Sequence, residues 1–307
     1  MANALLRIGE LSRRTGLSVD VIRAWERRYD LLRPERTAGG FRLYSADDVS
    51  RLRLMQHYLG RGIPTAQAAG VVHRVQTAAL DANPGVPPGD VAKALRVLRE
   101  SLEGFDDRPA DLMLERLLGV FAAGAVLRDV VLPYLRELGD RWSRGQATIA
   151  QEHFASSFLE GWMRTRARGG SRSGPDRAVL ACVPGERHTL GLTAFGLALN
   201  DLGWRVTYLG ADVPVAAVDE AARAVAADVV VLSATLPATL DTALDDLRGL
   251  GRTHAVAVGG AGAIGGSGWL ASRSLPADPI VAAHALTAHR HAATSPAHTA
   301  SPRAPVA

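Results

Sequence analysis

His188 stands in a loop whose residue types and position suit metal binding. The apolar run 178–183 predicts a buried parallel strand, which breaks at Pro184-Gly185 before a helical pattern resumes at Thr189. In an open α/β sheet, such strand-to-helix loops line the crevice at the carboxyl ends of the strands, where ligands bind. A neutral imidazole there can ligate a metal ion. The alternative is a solvated polar residue on an ordinary loop.

The elements around this loop predict a doubly wound parallel sheet of the flavodoxin type. Apolar strands alternate with helical patterns over 178–183, 189–202, 205–209, 215–226, 228–233, 239–250 and 255–258. Ser233 and Thr235 stand at the end of the third strand, and Gly259-Gly260 follow the fourth. Asp212 lies in the loop after the second strand. Each of these segments, taken alone, is better explained by ordinary turn chemistry.

Four helical patterns upstream of the sheet predict an antiparallel bundle with short connections, over 90–104, 109–123, 126–143 and 149–168. Thr148 and Gln151 fit a capping box that opens the fourth helix. Trp142 ends the third helix, and Glu152-His153 lie in the first turns of the fourth. Taken alone, Trp142 is a core aromatic and Glu152-His153 is a polar pair near a helix start.

Two short helices across a glycine-containing turn are predicted near the N-terminus. Gly16 ends the first helix and Ser18 caps the second, whose inner stripe contains Ile22 and Trp25. Three arginines project from its outer side: Arg23, Arg27 and Arg28. Arginines at such a place can pair with DNA phosphates or bind guanine bidentately in the major groove. The alternative is a solvated charged face.

A hairpin and a further helix follow these two helices. Residues 36–44 predict a tight hairpin with Gly39-Gly40 at its tip, and residues 45–48 supply a polar cap and two acids to the next helix. The hairpin carries Arg36, Arg42 and Tyr44. A helix pair followed by an arginine-bearing wing indicates a nucleic-acid-binding module.

Composition predicts a soluble, cytoplasmic protein with a basic N-terminal module. At 307 residues and 47% hydrophobic content, the chain is long enough for two or three small domains. Residues 1–77 hold 13 arginines against 7 acidic residues, a charge of +6, and the remainder carries −2. Cys182 is the only cysteine, which excludes a disulfide framework and a cysteine zinc site. Neither a signal peptide nor a membrane span is predicted.

The order of two helices, a wing and an Asp-Asp-Val helix start closely resembles the winged-helix domain of MerR-family regulators. Segments 23–29 and 36–44 look like the cobalamin-dependent, light-responsive branch of that family, the CarH and LitR type. The resemblance covers residues 7 to about 75 and implies a DNA-binding dimer or higher oligomer. It places wing residues on the phosphate backbone, where contacts position the protein without reading sequence. The implied DNA-binding residues are Arg13, Thr15, Ser18, Arg23, Arg27, Arg28, Arg36, Arg42 and Tyr44.

The loop around His188 resembles the first part of the signature of cobalamin-binding domains. Glu186-x-His188-x-x-Gly191 is similar to Asp-x-His-x-x-Gly, whose histidine is the lower axial ligand of cobalt. The resemblance therefore implies that His188 ligates cobalt. Glu186 replaces the usual Asp, is longer by one methylene, and can make the same hydrogen bond to the other nitrogen of the ligand histidine.

Three later segments resemble further parts of that signature. Ser233-x-Thr235 is similar to the Ser-x-Leu element, with Thr in place of Leu, and Gly259-Gly260 matches the Gly-Gly element. Residues 209–214, which contain Asp212, resemble the family's loop after the second strand. The resemblance implies a deep slot in which hydroxyls bind the displaced nucleotide tail of cobalamin and glycines let the backbone approach it closely.

Trp142 with Glu152-His153, nine residues intervening, resembles the signature of the helical cap in the same family. The resemblance implies that these side chains pack over the upper face of cobalamin and its adenosyl group. An indole supplies a flat apolar lid, and a carboxylate and an imidazole can hydrogen-bond ribose hydroxyls. One position departs from the family pattern: Ser143 stands where the best-described photoreceptors have a histidine that ligates cobalt after illumination.

The fold class expected is multidomain, α and α/β, with five parts in chain order. They are a MerR-type winged helix-turn-helix at 1–77, a linker at 78–89, a four-helix cobalamin cap at 90–170, a flavodoxin-like cobalamin-binding domain at 177–291 and a disordered tail at 292–307. The histidines within 284–307 are expected to be part of a disordered segment rather than a metal site, because their spacing is irregular and the segment has low complexity.

The resemblance implies a light-responsive transcriptional repressor, not an enzyme, with adenosylcobalamin as chromophore. A dark-state homotetramer would occupy operator DNA and be released when light cleaves the cobalt–carbon bond. A regulator that senses cobalamin without light is a second hypothesis, which the Ser143 departure favours. A corrinoid methyl carrier is a third, against which the winged helix and the lack of a catalytic constellation outside the slot argue.

Overall fold

The computed structural model describes residues 6–37, 40–44, 46–60, 62–81, 85–169, 174–263, 268–270 and 272–294. Within them, the chain forms a helical module with a small wing, a helical bundle and a parallel sheet flanked by helices. Gly39, at the tip of the predicted hairpin, and His298, in the predicted tail, lie outside the described residues. No helix of the described residues is long and apolar enough to cross a membrane.

The N-terminal module is a helix-turn-helix followed by a two-stranded wing and two longer helices. Its elements are α1 (Ile8–Thr15), α2 (Val19–Tyr29), β1 (Glu35–Arg36), β2 (Arg42–Leu43), α3 (Ala46–Gly60) and α4 (Thr65–Asp81). Gly16 adopts a left-handed φ of 69° where α1 ends. Ser18 caps α2, because its Oγ accepts a hydrogen bond from the Val21 N–H at 3.3 Å. The buried side chains of Ile22 and Trp25 hold α2 against the module core.

The bundle consists of four helical stretches, the third of which is irregular. Its elements are α5 (Pro88–Glu103), α6 (Arg108–Leu118), α7 (Ala123–Val126), a π-helical segment (Leu127–Val131), α8 (Leu132–Ser143) and α9 (Ile149–Gly169). The predicted capping box is confirmed: the Thr148 N–H donates to Gln151 Oε1 at 3.0 Å, and the Gln151 N–H donates to Thr148 Oγ1 at 3.2 Å.

The sheet has four parallel strands in the order β4-β3-β5-β6, which confirms the predicted doubly wound topology. Its elements are β3 (Arg177–Cys182), α10 (Leu190–Asp201), β4 (Arg205–Gly210), α11 (Val215–Ala224), β5 (Val229–Ser233), α12 (Pro237–Leu250), β6 (Val256–Gly259), a 3₁₀ turn (Ala261–Ala263) and α13 (Pro279–Thr294). A single parallel bridge from Val258 to Ser274 occupies the place of a fifth strand.

The two faces of the sheet bury separate cores. Along β3, alternate residues enter one core or the other, as the two-residue period of a strand requires. Ala178, Leu180 and Cys182 pack in the core shared with the bundle, α10 and α13. Val179, Ala181 and Val183 pack in the core formed with α11 and α12. The bundle therefore shares the core on the α10 side of the sheet, and it contacts α10 through α9 and α7.

Two sequence-based boundaries differ from the structure. The predicted linker 78–89 is shorter, because α4 continues to Asp81 and α5 begins at Pro88. Ala78-Ala79-Leu80 extend α4 since all three are strong helix formers, and proline is well tolerated at a helix start. The prediction that 284–307 is disordered was wrong for 284–294, which belong to α13; packing of that helix outweighs its low complexity.

Candidate functional site

A cavity of about 890 Å³ lies between α9 and the carboxyl ends of β3, β5 and β6. We call it the slot. It is lined by eight of the residues predicted for ligand binding: Glu152, His153, His188, Gly191, Ser233, Thr235, Gly259 and Gly260. The other three do not line it: Trp142, Glu186 and Asp212. The parallel sheet thus gathers loops that are far apart in sequence, and α9 forms the opposite wall.

His188 is held by a hydrogen bond from its ring to a buried carboxylate. His188 Nδ1 lies 2.5 Å from Glu186 Oε1, and the imidazole is 65% exposed whereas Glu186 is 1% exposed. A carboxylate only accepts hydrogen bonds, so Nδ1 carries the proton. The lone pair of the neutral ring is then on Nε2, which is the nitrogen available to a metal.

Glu186 also joins the loops that follow β3 and β5. Its Oε2 accepts hydrogen bonds from the Thr235 N–H at 2.5 Å and the Leu236 N–H at 3.3 Å, and its Oε1 accepts one from the His188 N–H at 2.9 Å. Burial raises the pKa of Glu186, but these donors together outweigh burial and hold the pKa below its ordinary value of 4.5. The carboxylate is therefore charged at neutral pH and fixes the ring of His188.

Asp212 stabilises the same loop from outside the slot. Its Oδ1 accepts a hydrogen bond from the Gly185 N–H at 2.7 Å, and its own N–H donates to the Glu186 carbonyl at 2.9 Å. Asp212 has a left-handed φ of 51°, as does Gly185 at 79°. The residue predicted to bind a ligand is thus placed where it shapes the turn that carries Glu186.

Position 260 requires a glycine, because its backbone is left-handed and its surroundings leave no room for a Cβ. Gly191 and Gly259, the two other glycines predicted for the slot, are not constrained in this way. The φ of Gly260 is 90°, and a Cβ there would lie 2.3 Å from the Ala234 carbonyl oxygen. A Cβ at Gly191 would meet nothing within 4 Å, and one at Gly259 would touch only Leu275 at 4.0 Å. Gly260 therefore allows the loop after β6 to lie against the loop after β5.

Glu160 on α9 is a slot residue that the sequence analysis missed. Its Oε1 accepts hydrogen bonds from Thr189 Oγ1 at 2.6 Å and from Arg164 Nη2 at 2.9 Å. Thr189 directly follows His188, so this bond joins the bundle to the His188 loop. A signal was present, since Glu152, Ser156 and Glu160 recur every fourth residue and form one polar stripe on α9.

The predicted cap residues lie on the bundle side, and only two of the three reach the slot. Glu152 Oε2 is 2.6 Å from His153 Nδ1, and Glu152 Oε1 accepts a hydrogen bond from Ser156 Oγ at 2.6 Å. Trp142, the penultimate residue of α8, has half of its surface exposed and does not line the slot. It is therefore not the core aromatic of the alternative interpretation. The ligand contacts of these residues stay predictions.

The outer face of the helix-turn-helix presents most of the predicted DNA-binding residues. Arg13, Arg23, Arg27, Arg28 and Ser18 are exposed, and Arg42 is exposed on the wing. The backbone of Arg36 is in β1, and its side chain lies outside the described residues.

Thr15 and Tyr44 lie inside the module rather than on its outer face. The Thr15 hydroxyl donates to the Leu11 carbonyl at 2.8 Å, and the Tyr44 hydroxyl donates to Glu26 Oε2 at 2.9 Å. Glu26 Oε1 also accepts a hydrogen bond from Arg42 Nε at 2.8 Å. Glu26, which the sequence analysis missed, therefore ties the wing to α2.

Comparison with known protein families agrees with this division of the chain. The model described as "MerR HTH family regulatory protein" matches residues 6–74. Two models described as "B12 binding domain" match residues 89–166 and 176–288. The first covers the helix-turn-helix and the wing, and the other two cover the bundle and the sheet on either side of the slot.

Two similar proteins are repressors of Myxococcus xanthus. The HTH-type transcriptional repressor CarH is 32% identical over 273 residues, which is 86% of this chain and 91% of CarH. The HTH-type transcriptional repressor CarA is 35% identical over 269 residues, 84% of this chain and 87% of CarA. Among solved structures, the monomethylamine corrinoid protein of Methanosarcina barkeri is 17% identical, with a TM-score of 0.48, over 63% of this chain and 96% of that chain.

Replacing Gly260 by alanine is expected to destabilise the sheet module by about 1–3 kcal/mol. The backbone at this position is left-handed, which disfavours any residue with a Cβ, and the added Cβ would collide with Ala234. Gly191→Ala is the matched control, in open space within α10, and is expected to be neutral or slightly stabilising. Urea unfolding followed by circular dichroism measures both. Equal midpoints for the two variants would contradict the steric argument.

The carboxylate of Glu186 is expected to make stability depend on pH. Since its pKa in the folded protein is lowered, its contribution is fully present above the ordinary value of 4.5 and is lost as the pH falls through the folded-state value. Glu186→Gln should therefore lower the free energy of unfolding at pH 7, by an amount that shrinks in acid. Glu220→Gln, at an exposed position, should leave the pH profile unchanged. A pH profile of Glu186→Gln parallel to that of the wild type would disprove the assignment.

Removing the Thr189 hydroxyl is expected to loosen the bundle from the His188 loop. Thr189→Val keeps the shape of the side chain and should cost about 1–2 kcal/mol, since Glu160 loses a buried donor. Hydrogen exchange of α9 should accelerate. Thr242→Val, on the exposed face of α12, is the control. A double-mutant cycle with Glu160→Gln that shows additive effects would refute the coupling.

Proposed function

The chain belongs to the family of MerR-type, B12-binding transcriptional repressors that includes CarH and CarA, and we propose that it is a light-responsive member with adenosylcobalamin as its chromophore. It is a DNA-binding repressor of this type with a cobalamin cofactor. The observation that carries the finer proposal is the Glu186–His188 pair at the mouth of a slot roofed by the bundle.

The residues around the slot fit a cobalt corrinoid. A bare metal ion needs several protein ligands, and the described residues contain no group of three or more His, Cys, Asp or Glu that could hold one. A corrin ring supplies the equatorial ligands of cobalt itself, so a single imidazole is sufficient. His188, with Nδ1–H bonded to Glu186 and Nε2 available, provides that imidazole.

Most of the residues predicted for ligand binding have a place in this proposal. His188 would supply the imidazole ligand to cobalt, and Glu186 keeps its ring in the Nδ1–H tautomer. Ser233, Thr235 and the backbone at Gly259-Gly260, which line the slot, would hold the nucleotide tail. Above, Glu152 and His153 hold the adenosyl group from α9, and Trp142 covers it when the end of α8 closes over the slot.

The position of α9 as the roof of the slot supports the proposed light response. When bound, adenosylcobalamin supplies a cobalt–carbon bond that light cleaves. In the dark, the bundle packs on the adenosyl group and the chain forms a tetramer that occupies operator DNA. After illumination, Glu152 and His153 lose the group on which they packed, the bundle shifts and the tetramer dissociates. The two bundle positions differ in their affinity for adenosylcobalamin. That difference sets how far the equilibrium between the tetramer and the dissociated chains moves.

The DNA-binding side of the proposal rests on the arginines of α2. Arg23, Arg27 and Arg28 lie exposed on the helix expected in the major groove, and Arg42 lies on the wing beside it. Glu26 holds the wing at α2, so the two contact the same stretch of duplex. We propose a cytoplasmic regulator without catalytic activity of its own.

A cobalamin sensor that does not respond to light is the second candidate, and one observation favours it. Ser143 stands where the light-responsive type has the histidine that ligates cobalt after illumination, and its hydroxyl donates to the Asp140 carbonyl at 2.9 Å. Such a protein would bind the same cofactor in the same slot, and its oligomeric state would follow cobalamin concentration alone.

Size-exclusion chromatography with absorbance detection tests the proposal. The apoprotein mixed with adenosylcobalamin is run in the dark and again after green light. We expect a larger, cobalamin-bound species in the dark that dissociates on illumination. His188→Ala should lose most of the bound cobalamin, whereas His254→Ala, which is paired with Asp219 away from the slot, should retain it.

Two other results would each change the conclusion. Bound cobalamin with no change of size in light would support the light-independent sensor. If no cobalamin co-elutes with the wild-type protein in the dark, both candidates fail.

A further inference from the structure

Helix α13 carries one face that belongs to the core of the DNA-binding module. Val281 and Ala285 pack in that core, and the ring of His289 stacks on Tyr58 of α3 at a centroid distance of 5.3 Å and an angle of 20°. These three residues of α13 are spaced by four, so they form one stripe along the helix. Tyr58 is fully buried and Ala285 is 3% exposed. We call Val281, Ala285 and His289 the α13 stripe.

The opposite face of α13 belongs to the slot and to the core beneath it. Pro279 and Ala282 line the slot, and Ala283 and Leu286 pack with the sheet and α10. Thr287 Oγ1 accepts a hydrogen bond from Trp204 Nε1 at 2.9 Å. A single helix is therefore in contact with both the ligand cavity and the DNA-binding module.

Ion pairs fix α13 to the C-terminal half of the chain at both ends. Arg136 of α8 pairs with Asp278, the residue before α13, at 2.8 Å. Near the other end, Arg290 pairs with Asp176 at 3.0 Å and also with Asp228. Because these contacts hold α13 to the bundle and to the sheet, the DNA-binding module is the partner that can dock on it or leave it.

We propose that the α13 stripe is a docking surface for this chain's own DNA-binding module, with Tyr58 and helix α4, which contacts α13, as the docked elements. Docking sets the orientation of α2 relative to the slot. A small side chain suits this surface, since alanine at 285 lets the docked module approach α13 closely. The dependence of DNA affinity on the state of the slot rests on the proposed function, whereas docking itself does not.

Two alanines on α13 offer a matched test of docking. Ala285 is buried in the stripe and Ala288, three residues on, is exposed. Glutamate at 285 places an unpaired charge inside the interface, whereas glutamate at 288 faces water. Hydrogen exchange of the full-length apoprotein should be about tenfold faster in α3, α4 and α13 for Ala285→Glu than for Ala288→Glu. Exchange in α1, α2 and β3 should stay unchanged, which shows that both modules remain folded.

A milder variant and a functional readout complete the test. His289→Ala should raise exchange in α3 and α4 by a smaller factor, since it removes only the ring contact with Tyr58. On a duplex selected by the wild-type protein from a random pool, Ala285→Glu should bind cobalamin normally but lose the change in DNA affinity that cobalamin causes.

The outcomes separate docking from the proposed function. Equal exchange in α3 and α4 for Ala285→Glu and Ala288→Glu would overturn the docking proposal. Faster exchange for Ala285→Glu, in a protein whose wild type binds no cobalamin, would support docking and reject the proposed function. Faster exchange together with loss of the cobalamin response would support both.

Discussion

A buried carboxylate with several N–H donors is the interaction on which the rest of the slot depends. Glu186 is almost completely removed from water, and its charge is tolerated because the backbone of His188, Thr235 and Leu236 and the ring of His188 all donate to it. Through these bonds, the position of His188 is set by two strands of the sheet rather than by its own loop. The same carboxylate selects the tautomer that leaves Nε2 available for a metal.

Two helices extend the influence of the slot to the rest of the molecule. The polar stripe of α9 lines the slot from the bundle side, where Glu160 accepts a hydrogen bond from Thr189 beside His188. Helix α13 lines the slot with one face and meets the DNA-binding module with the other. Packed interiors rearrange between discrete states rather than deforming continuously, so a change at the slot can reach both neighbouring modules through these helices.

Local sequence signals predicted most elements correctly. The Ser18 cap, the Thr148–Gln151 capping box and the alternation of strands and helices after 176 were all recognisable, because each depends on residues only a few positions apart. The same signals misjudged 284–294: low complexity suggested disorder, but one face of that helix packs on the sheet and the other on the DNA-binding module.

The sequence by itself determined the three modules, the parallel sheet and the loops that carry His188, Ser233 and Gly260. The hydrophobic period and the turn residues that predict them depend only on residues a few positions apart in the chain. Only the tertiary structure decided which polar side chains share a cavity. It brought Glu160 to Thr189, buried Thr15 and Tyr44 inside their module, left Trp142 outside the slot and placed Tyr58 on α13. These contacts join residues distant in the chain, and their free energy comes from burial and hydrogen bonds that exist only once the modules have packed.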